Sequence, residues 1–265
     1  MPPEQITITD FSSEGLGVGR LEPGQVAMIR GAVPGDTITP RFDKAKRKGV
    51  DVGEIEILAK PSEHRIEHPC PHYNEGCAGC RLGAYDYQAE LHWKTEKVNQ
   101  TLQRIGKMEI PSVRKIIPSP TQWNYRDRLD LRIELKNGCM DIGYFGAEGF
   151  VPIRNCKLAL PCVSNSLSMV RKSLSNFSTD LDNSSFNLLI RDNGRGESVA
   201  IMVTNAVTKD YLDLLRQVIS YGKFVGWEIR HGTKTALRYN SSNIIDKFGR
   251  NTIYMNIGPG VLRVP

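Results

Sequence analysis

The chain has 265 residues, 35 lysines and arginines against 29 aspartates and glutamates, a formal charge of +6, and six cysteines. That length buries the cores of two or three small domains without disulfide staples, and no apolar run approaches the roughly 18 residues of a membrane span. The opening MPPEQITITDF lacks the charged start, apolar stretch and cleavage site of a secretory signal. The expected setting is therefore cytoplasmic and reducing, without a membrane, and the cationic excess suits an acidic partner such as nucleic acid.

Residues 6–58 read as short strands broken by glycine turns: ITITDF, EGLGVGRLE, QVAMIRGAVPGDTITPRF and, after a basic tract, VGEIEIL. Close spacing of short alternating strands predicts a small OB-like β-barrel. Gly15, Gly17 and Gly19 do not have dinucleotide-loop spacing, and no helical pattern follows them, so they read as bends of the barrel. The tract from Arg41 to Lys48 sets five cations, among them Lys44, Lys46, Arg47 and Lys48, against one carboxylate. A basic loop beside a small barrel is suited to meeting an RNA backbone, because each neutralised phosphate releases counterions.

Next comes HPCPHYNEGCAGC, in which Cys70, Cys77 and Cys80 have the pattern C-x6-C-x2-C with Gly76 and Gly79 between them. In a reducing compartment such a cluster reads as a metal site. A fourth ligand is open among Cys139, Cys156, Cys162, His64, His68 and His72. Zinc motifs bring two closely spaced pairs, whereas three near thiols and one distant one favour an iron-sulfur cluster.

Asp86 is placed to cap a helix carrying Leu91, Val98, Leu102 and Ile105 at helical spacing. The segment 128–145 predicts a hairpin turning at Asn137-Gly138, with Arg126, Arg128 and Arg132 on its outward face. A second helix opens at Pro161 with Val163, Leu167, Val170, Leu174 and Phe177 on one stripe, followed by a polar linker. The stretch FNLLIRDNGRGESVAIMVTN reads as another hairpin. A third helix starts near Thr208, and strand-like GWEIR, NTIYM and GVLRVP close the chain.

The ordered motifs GLGVGR, RGAVPGD, HPCPHYNEGCAGC, WNYRDR and DIGYFGAEGFVPIRNCKLAL resemble the bacterial RNA uracil-5-methyltransferase family, in particular its branch acting on 23S ribosomal RNA. The resemblance implies an α+β chain: a TRAM-type RNA-binding barrel over 1–60, an iron-sulfur loop and helix over 61–106, and a central α+β domain over 107–265. It implies that Cys70, Cys77, Cys80 and Cys156 hold a [4Fe-4S] cluster, with Cys162 and then Cys139 as substitutes for the fourth ligand. The first cysteine interval is one residue longer here than is usual in the family. The resemblance also places Arg126 and Arg128 near bound ribosomal RNA.

Enzymes of this kind transfer a methyl group from S-adenosylmethionine to uracil C5 after a cysteine thiolate adds to C6, because C5 is a poor nucleophile until then. No strand, glycine loop and helix with an acidic residue beyond is legible before Pro265. The expectation is thus that the Rossmann-like methyltransferase domain is absent, that S-adenosylmethionine belongs to a full-length enzyme only, and that no catalytic residue lies in this chain. The alternative expectation is a stand-alone RNA-binding protein with a structural metal clamp.

Overall fold

The computed structural model describes residues 4–43, 49–109, 113–146, 149–174, 184–205, 207–232, 243–250, 252–257 and 260–264. The chain divides into two units. One comprises Met1–Asn74 with Ala78–Pro120; the other comprises Glu75–Cys77 with Thr121–Pro265.

In the first unit, β1 (Ile6–Phe11), β2 (Gly17–Arg20), β3 (Val26–Arg30), β4 (Thr37–Phe42) and β5 (Asp51–Lys60) close into a barrel in the order β1-β2-β3-β5-β4. Alternation puts Ile6, Ile8, Ala27, Ile29 and Ile38 in its interior, with Ala32 beside them. A side chain on Gly17 would lie 2.7 Å from the carbonyl of Ala32 and one on Gly53 would lie 2.4 Å from that of Arg41, so these glycines admit close strand packing.

The fully buried carboxylate of Asp36 accepts hydrogen bonds from the backbone N–H groups of Val33 (2.8 Å) and Ser62 (2.9 Å) and from Arg65 Nη2 (2.5 Å). It ties the β3–β4 connection to the chain leaving β5.

The single turn α1 (Pro71–Asn74) precedes α2 (Tyr87–Arg104), whose first turn is capped by Asp86 accepting from the N–H groups of Gln88 and Ala89, both at 3.0 Å. Helix α2 anchors on β1: Trp93 Nε1 and Lys97 Nζ donate to the Asp10 carboxylate at 2.7 and 2.5 Å, and the Phe11 ring meets Tyr85 and Trp93 edge-on. Leu91 is the buried residue of this helix, while Val98 and Ile105 are exposed, so the predicted apolar stripe is used only in part.

In the second unit, β6 (Arg128–Lys136), β7 (Cys139–Phe145), β8 (Phe150–Pro152), β9 (Ser184–Asp192), β10 (Ser198–Thr204), β11 (Gly226–His231) and β12 (Ile244–Gly249) form a seven-stranded sheet in the order β12-β11-β10-β9-β6-β7-β8. Asn137 and Gly138 both have positive φ (53° and 74°), as the tight β6–β7 turn requires.

Helices α3 (Pro161–Leu174) and α4 (Lys209–Ser220) contribute Val163, Leu167, Val170, Leu215 and Val218 to a core with Leu129, Leu131, Ile133, Phe186, Leu188, Ile190, Ala200 and Met202 of the sheet. Strands β10 and β11 run parallel with α4 between them, a βαβ unit inside an otherwise antiparallel sheet. A separate hairpin, β13 (Ile253–Ile257) and β14 (Gly260–Val264), closes the chain. Phe177 and most of the polar linker after α3 lie outside the described residues.

Candidate nucleic-acid interface

Strict alternation along β6 sends Leu129, Leu131, Ile133 and Leu135 into the core and leaves Arg128, Asp130, Arg132 and Glu134 on the other face. Strand β9 lies beside β6 in a register that pairs Arg128 directly with Arg191 and Leu129 with Ile190. Just before β6, Arg126 is fixed through its backbone: its N–H donates to Leu158 O at 2.7 Å and its carbonyl accepts from Leu160 N at 2.9 Å.

Arg126, Asp127, Arg128, Asp130, Tyr144 and Arg191 thereby line one open, polar cleft of about 540 Å³. Three guanidinium groups face two carboxylates there. Asp127 stands 3.5 Å from Arg191 and Asp130 stands 3.8 Å from Arg128, separations beyond a good charge-assisted hydrogen bond.

Burial pushes the pKa of Arg191 down, Asp127 counters it, and the positive charge of Arg128 adds to the downward push. Arginine stays charged at such a site. Burial, and after it the neighbouring Cys156, raises the pKa of the Tyr144 phenol well above the usual range, so it remains a neutral hydrogen-bonding group. Arg132 lies outside this cleft, with its guanidinium 5.4 Å from the centre of the Phe145 ring.

All six cysteines are free thiols. In the first unit, Cys70 is buried, and its N–H donates at 3.0 Å to His68 Nδ1; the His68 ring stacks on Tyr73 at 4.2 Å. Cys77 and Cys156 both belong to the second unit, and both are half-buried. The loop around Cys77 is pressed against the end of β7: a side chain on Gly146 would lie 2.1 Å from the carbonyl of Gly76, and Arg154 pairs with Glu75 at 3.0 Å.

Cys162 is engaged differently. Burial and a hydrogen bond to the Asp192 carboxylate push its thiol up to about 11, and Asp192 also accepts from Ser198 Oγ at 2.6 Å. Cys139 is exposed on the β6–β7 hairpin. Among the described residues, no group of three or more His, Cys, Asp or Glu side chains is set to hold a metal ion.

Of the residues singled out from the sequence, Arg126 and Arg128 thus share a cleft. Lys44, Lys46, Arg47 and Lys48 lie outside the described residues. Nearby, Arg30 pairs with Asp43 and Arg41 with Glu54. Arg191 was not singled out. Its only sequence signal is a cation ending the apolar run FNLLI, and its meaning depends on the β6–β9 register.

These features define a small TRAM barrel accompanied by a sheet unit with an arginine-lined cleft; residues 4–49 match the TRAM domain. More specific likenesses are to RNA methyltransferases. A protein named as an uncharacterized RNA methyltransferase of Halalkalibacterium halodurans is 32% identical over 141 residues, covering 53% of this chain and 30% of that one. Another so named, from Caldanaerobacter subterraneus subsp. tengcongensis, is 28% identical over 271 residues, covering 94% of this chain and 57% of that one.

The chain therefore spans less than two thirds of the length of these relatives. The crystal structure of a Pyrococcus abyssi tRNA (uracil-54, C5)-methyltransferase in complex with S-adenosyl-L-homocysteine superposes with a TM-score of 0.66 at 18% identity, over 98% of this chain and 59% of that one.

That likeness corrects the expectation of an α+β chain from which the methyltransferase fold is absent, since nearly the whole chain superposes on a methyltransferase. The physical source of the misreading is visible in β10–α4–β11. A parallel βαβ unit forms there from a buried apolar strand and an amphipathic helix, without the glycine-rich loop that the sequence reading required. Among the described residues no helix is long and apolar enough to cross a membrane.

Proposed function

We propose that this chain recognises RNA as part of an S-adenosylmethionine-dependent uracil-C5 methyltransferase acting in the cytoplasm on 23S ribosomal RNA. The observation that carries the reading is the convergence of Arg126 and Arg128 on one cleft, in a chain whose first 49 residues include a match to the TRAM domain. Arginine suits this work because its planar fork grips phosphate and stacks on unpaired bases, which is how single-stranded RNA is held. In this reading Lys44, Lys46, Arg47 and Lys48 add backbone contacts from the barrel. By role, 1–60 is the TRAM barrel, 61–106 the iron-sulfur loop and helix, and 107–265 the central domain.

The thiol chemistry fits a [4Fe-4S] cluster held by Cys70, Cys77, Cys80 and Cys156. These are free sulfurs, Cys77 and Cys156 belong to one unit, and Cys162, the competing fourth ligand, is half-buried and hydrogen-bonded to the Asp192 carboxylate. Such a cluster would supply a covalent tie between distant chain segments, metal affinity standing in for core area.

Two measurements test the reading. Titration of this chain with labelled 23S ribosomal RNA fragments should show salt-dependent binding that Arg126→Ala and Arg128→Ala each weaken. Anaerobic purification should yield iron and sulfide in equal amounts, and their loss in Cys156→Ser but not Cys162→Ser. Colourless protein containing zinc would overturn the cluster assignment, and RNA binding unchanged in both arginine variants would overturn the cleft.

A further inference from the structure

We propose that Phe145, with the Arg132 guanidinium over its ring and Phe150 at its edge, is a stacking platform for one unpaired base of a single-stranded RNA. The platform rests on the RNA-recognition reading above and adds to it a patch of sheet that lies outside the arginine-lined cleft.

Strand register brings the three side chains together. Alternation along β6 turns Arg132 away from the core, and the β6–β7 ladder sets it opposite Gly143. Phe145 stands two residues further along β7, on the same face, and Arg132 reaches it diagonally because position 143 carries no side chain. Across the β7–β8 ladder the partner of Phe145 is Phe150. The Arg132 guanidinium lies 5.4 Å from the centre of the Phe145 ring, and the two phenyl rings meet edge-on with centres 6.0 Å apart.

The core of this unit takes Ile142 and Tyr144 from β7 and leaves Phe145 out; its residue remains 53% exposed with Arg132 and Phe150 against it. A single exposed ring is ordinary surface, whereas two rings with a guanidinium laid on one of them make a composite plane. Arg132 is already engaged, by the ring and by Glu134 at 3.7 Å, so the patch attracts through its flat faces rather than through charge awaiting an anion.

Such a plane selects its occupant. Unpaired bases stack on aromatic rings and on arginine planes, and every base has a π-face to offer. An apolar peptide would instead cover the guanidinium with hydrocarbon and strip its water without replacement. The platform also continues the candidate interface: Arg128 and Asp130, which line the cleft, share the outward face of β6 with Arg132. At about 3.4 Å per residue, Arg132 lies about 14 Å along β6 from Arg128, within the span of a few nucleotides.

The test titrates the whole chain with a fluorescein-labelled single-stranded RNA of mixed uridine and adenosine across a salt series. Phe145→Leu keeps the apolar bulk and removes the π-face. It should weaken binding about tenfold and leave the slope of log affinity against log salt unchanged, because stacking releases no counterions. Its thermal midpoint should match that of the parent chain, since residue 145 lies outside the core. Phe145→Trp should bind at least as tightly as the parent, and its added indole emission should be quenched as RNA binds. On an abasic ribose-phosphate strand of equal length, parent and Phe145→Leu should bind alike.

Phe145→Leu with the affinity of the parent, or weakened with a flattened salt slope, overturns the platform while leaving RNA recognition standing. So does Phe145→Trp whose emission is unmoved by bound RNA. Self-association of the parent that Phe145→Leu abolishes, with RNA affinity unchanged, would make this face a contact between copies and overturn the base assignment. Parent chain that binds no RNA removes both the platform and the reading beneath it.

Discussion

Arg128 and Arg191 are direct neighbours across the β6–β9 ladder, one cation set against another on the face of the sheet that β6 turns away from its helices. Their stability and binding consequences have opposite signs. Arg128→Ala removes a cross-strand repulsion worth about 0.2 to 1 kcal/mol, so its thermal midpoint should equal or exceed that of the parent chain. Its RNA affinity should nonetheless drop about tenfold. Calorimetry and a binding titration on the same preparation check the pair of effects, and a variant that loses both stability and affinity would contradict it.

Asp36 is the most heavily used buried carboxylate of the barrel unit, serving two backbone N–H groups and the Arg65 fork. Asp36→Ala strips those donors and leaves the guanidinium facing an apolar gap. The expected cost is about 3 to 5 kcal/mol, read as a fall in the urea midpoint.

Cysteine reactivity should sort by environment. Cys139 is exposed, whereas the Cys162 thiol is pushed up to about 11 by burial and Asp192. Iodoacetamide at neutral pH should label Cys139 readily and leave Cys162 unmodified until the pH approaches that value, because only the thiolate reacts. The folded pKa lies above the ordinary 9.0, so the stabilisation from the protonated thiol is complete below pH 9 and is lost as pH rises toward about 11. Mass spectrometry of tryptic peptides across a pH series gives the order directly, and Asp192→Asn should bring the labelling of Cys162 to lower pH.

Gly143 lies opposite Pro152 in the antiparallel β7–β8 ladder. A methyl group there would sit 2.0 Å from the carbonyl of Val151, too near for any small adjustment. Gly143→Ala should destabilise the second unit by about 1 to 3 kcal/mol and loosen β8, visible as faster amide exchange at Val151 and Pro152's neighbours than in the parent chain.

Local chemistry made much of this legible. Asn137-Gly138 announces its turn because few other residue pairs adopt positive φ twice, and the Leu-x-Leu-x-Ile-x-Leu alternation of β6 announces which face is buried. Helix α2 misleads for a physical reason. Its register suggests an aliphatic stripe, but the helix is held by Trp93 and Lys97 on Asp10 and by rings packed on Phe11, leaving Val98 and Ile105 in solvent.

Strand β12 went unread because its Ile-Ile-Asp-Lys-Phe pattern carries little burial, and the parallel partnership of β10 and β11 because pairing direction leaves no local mark. Arg126 and Arg128 could be read from a motif. Arg191 could not, since only the alignment of two strands distant in sequence makes it their neighbour.

The approach of Gly146 to the backbone of Gly76 governs more than a tight turn. It makes the location of a sulfur depend on a missing methyl group far along the chain: lengthen residue 146 by one carbon and the loop carrying Cys77 must retreat. Sequence tolerance at that spot should consequently look like that of a ligand, strict and unforgiving, while its cause is pure spacing.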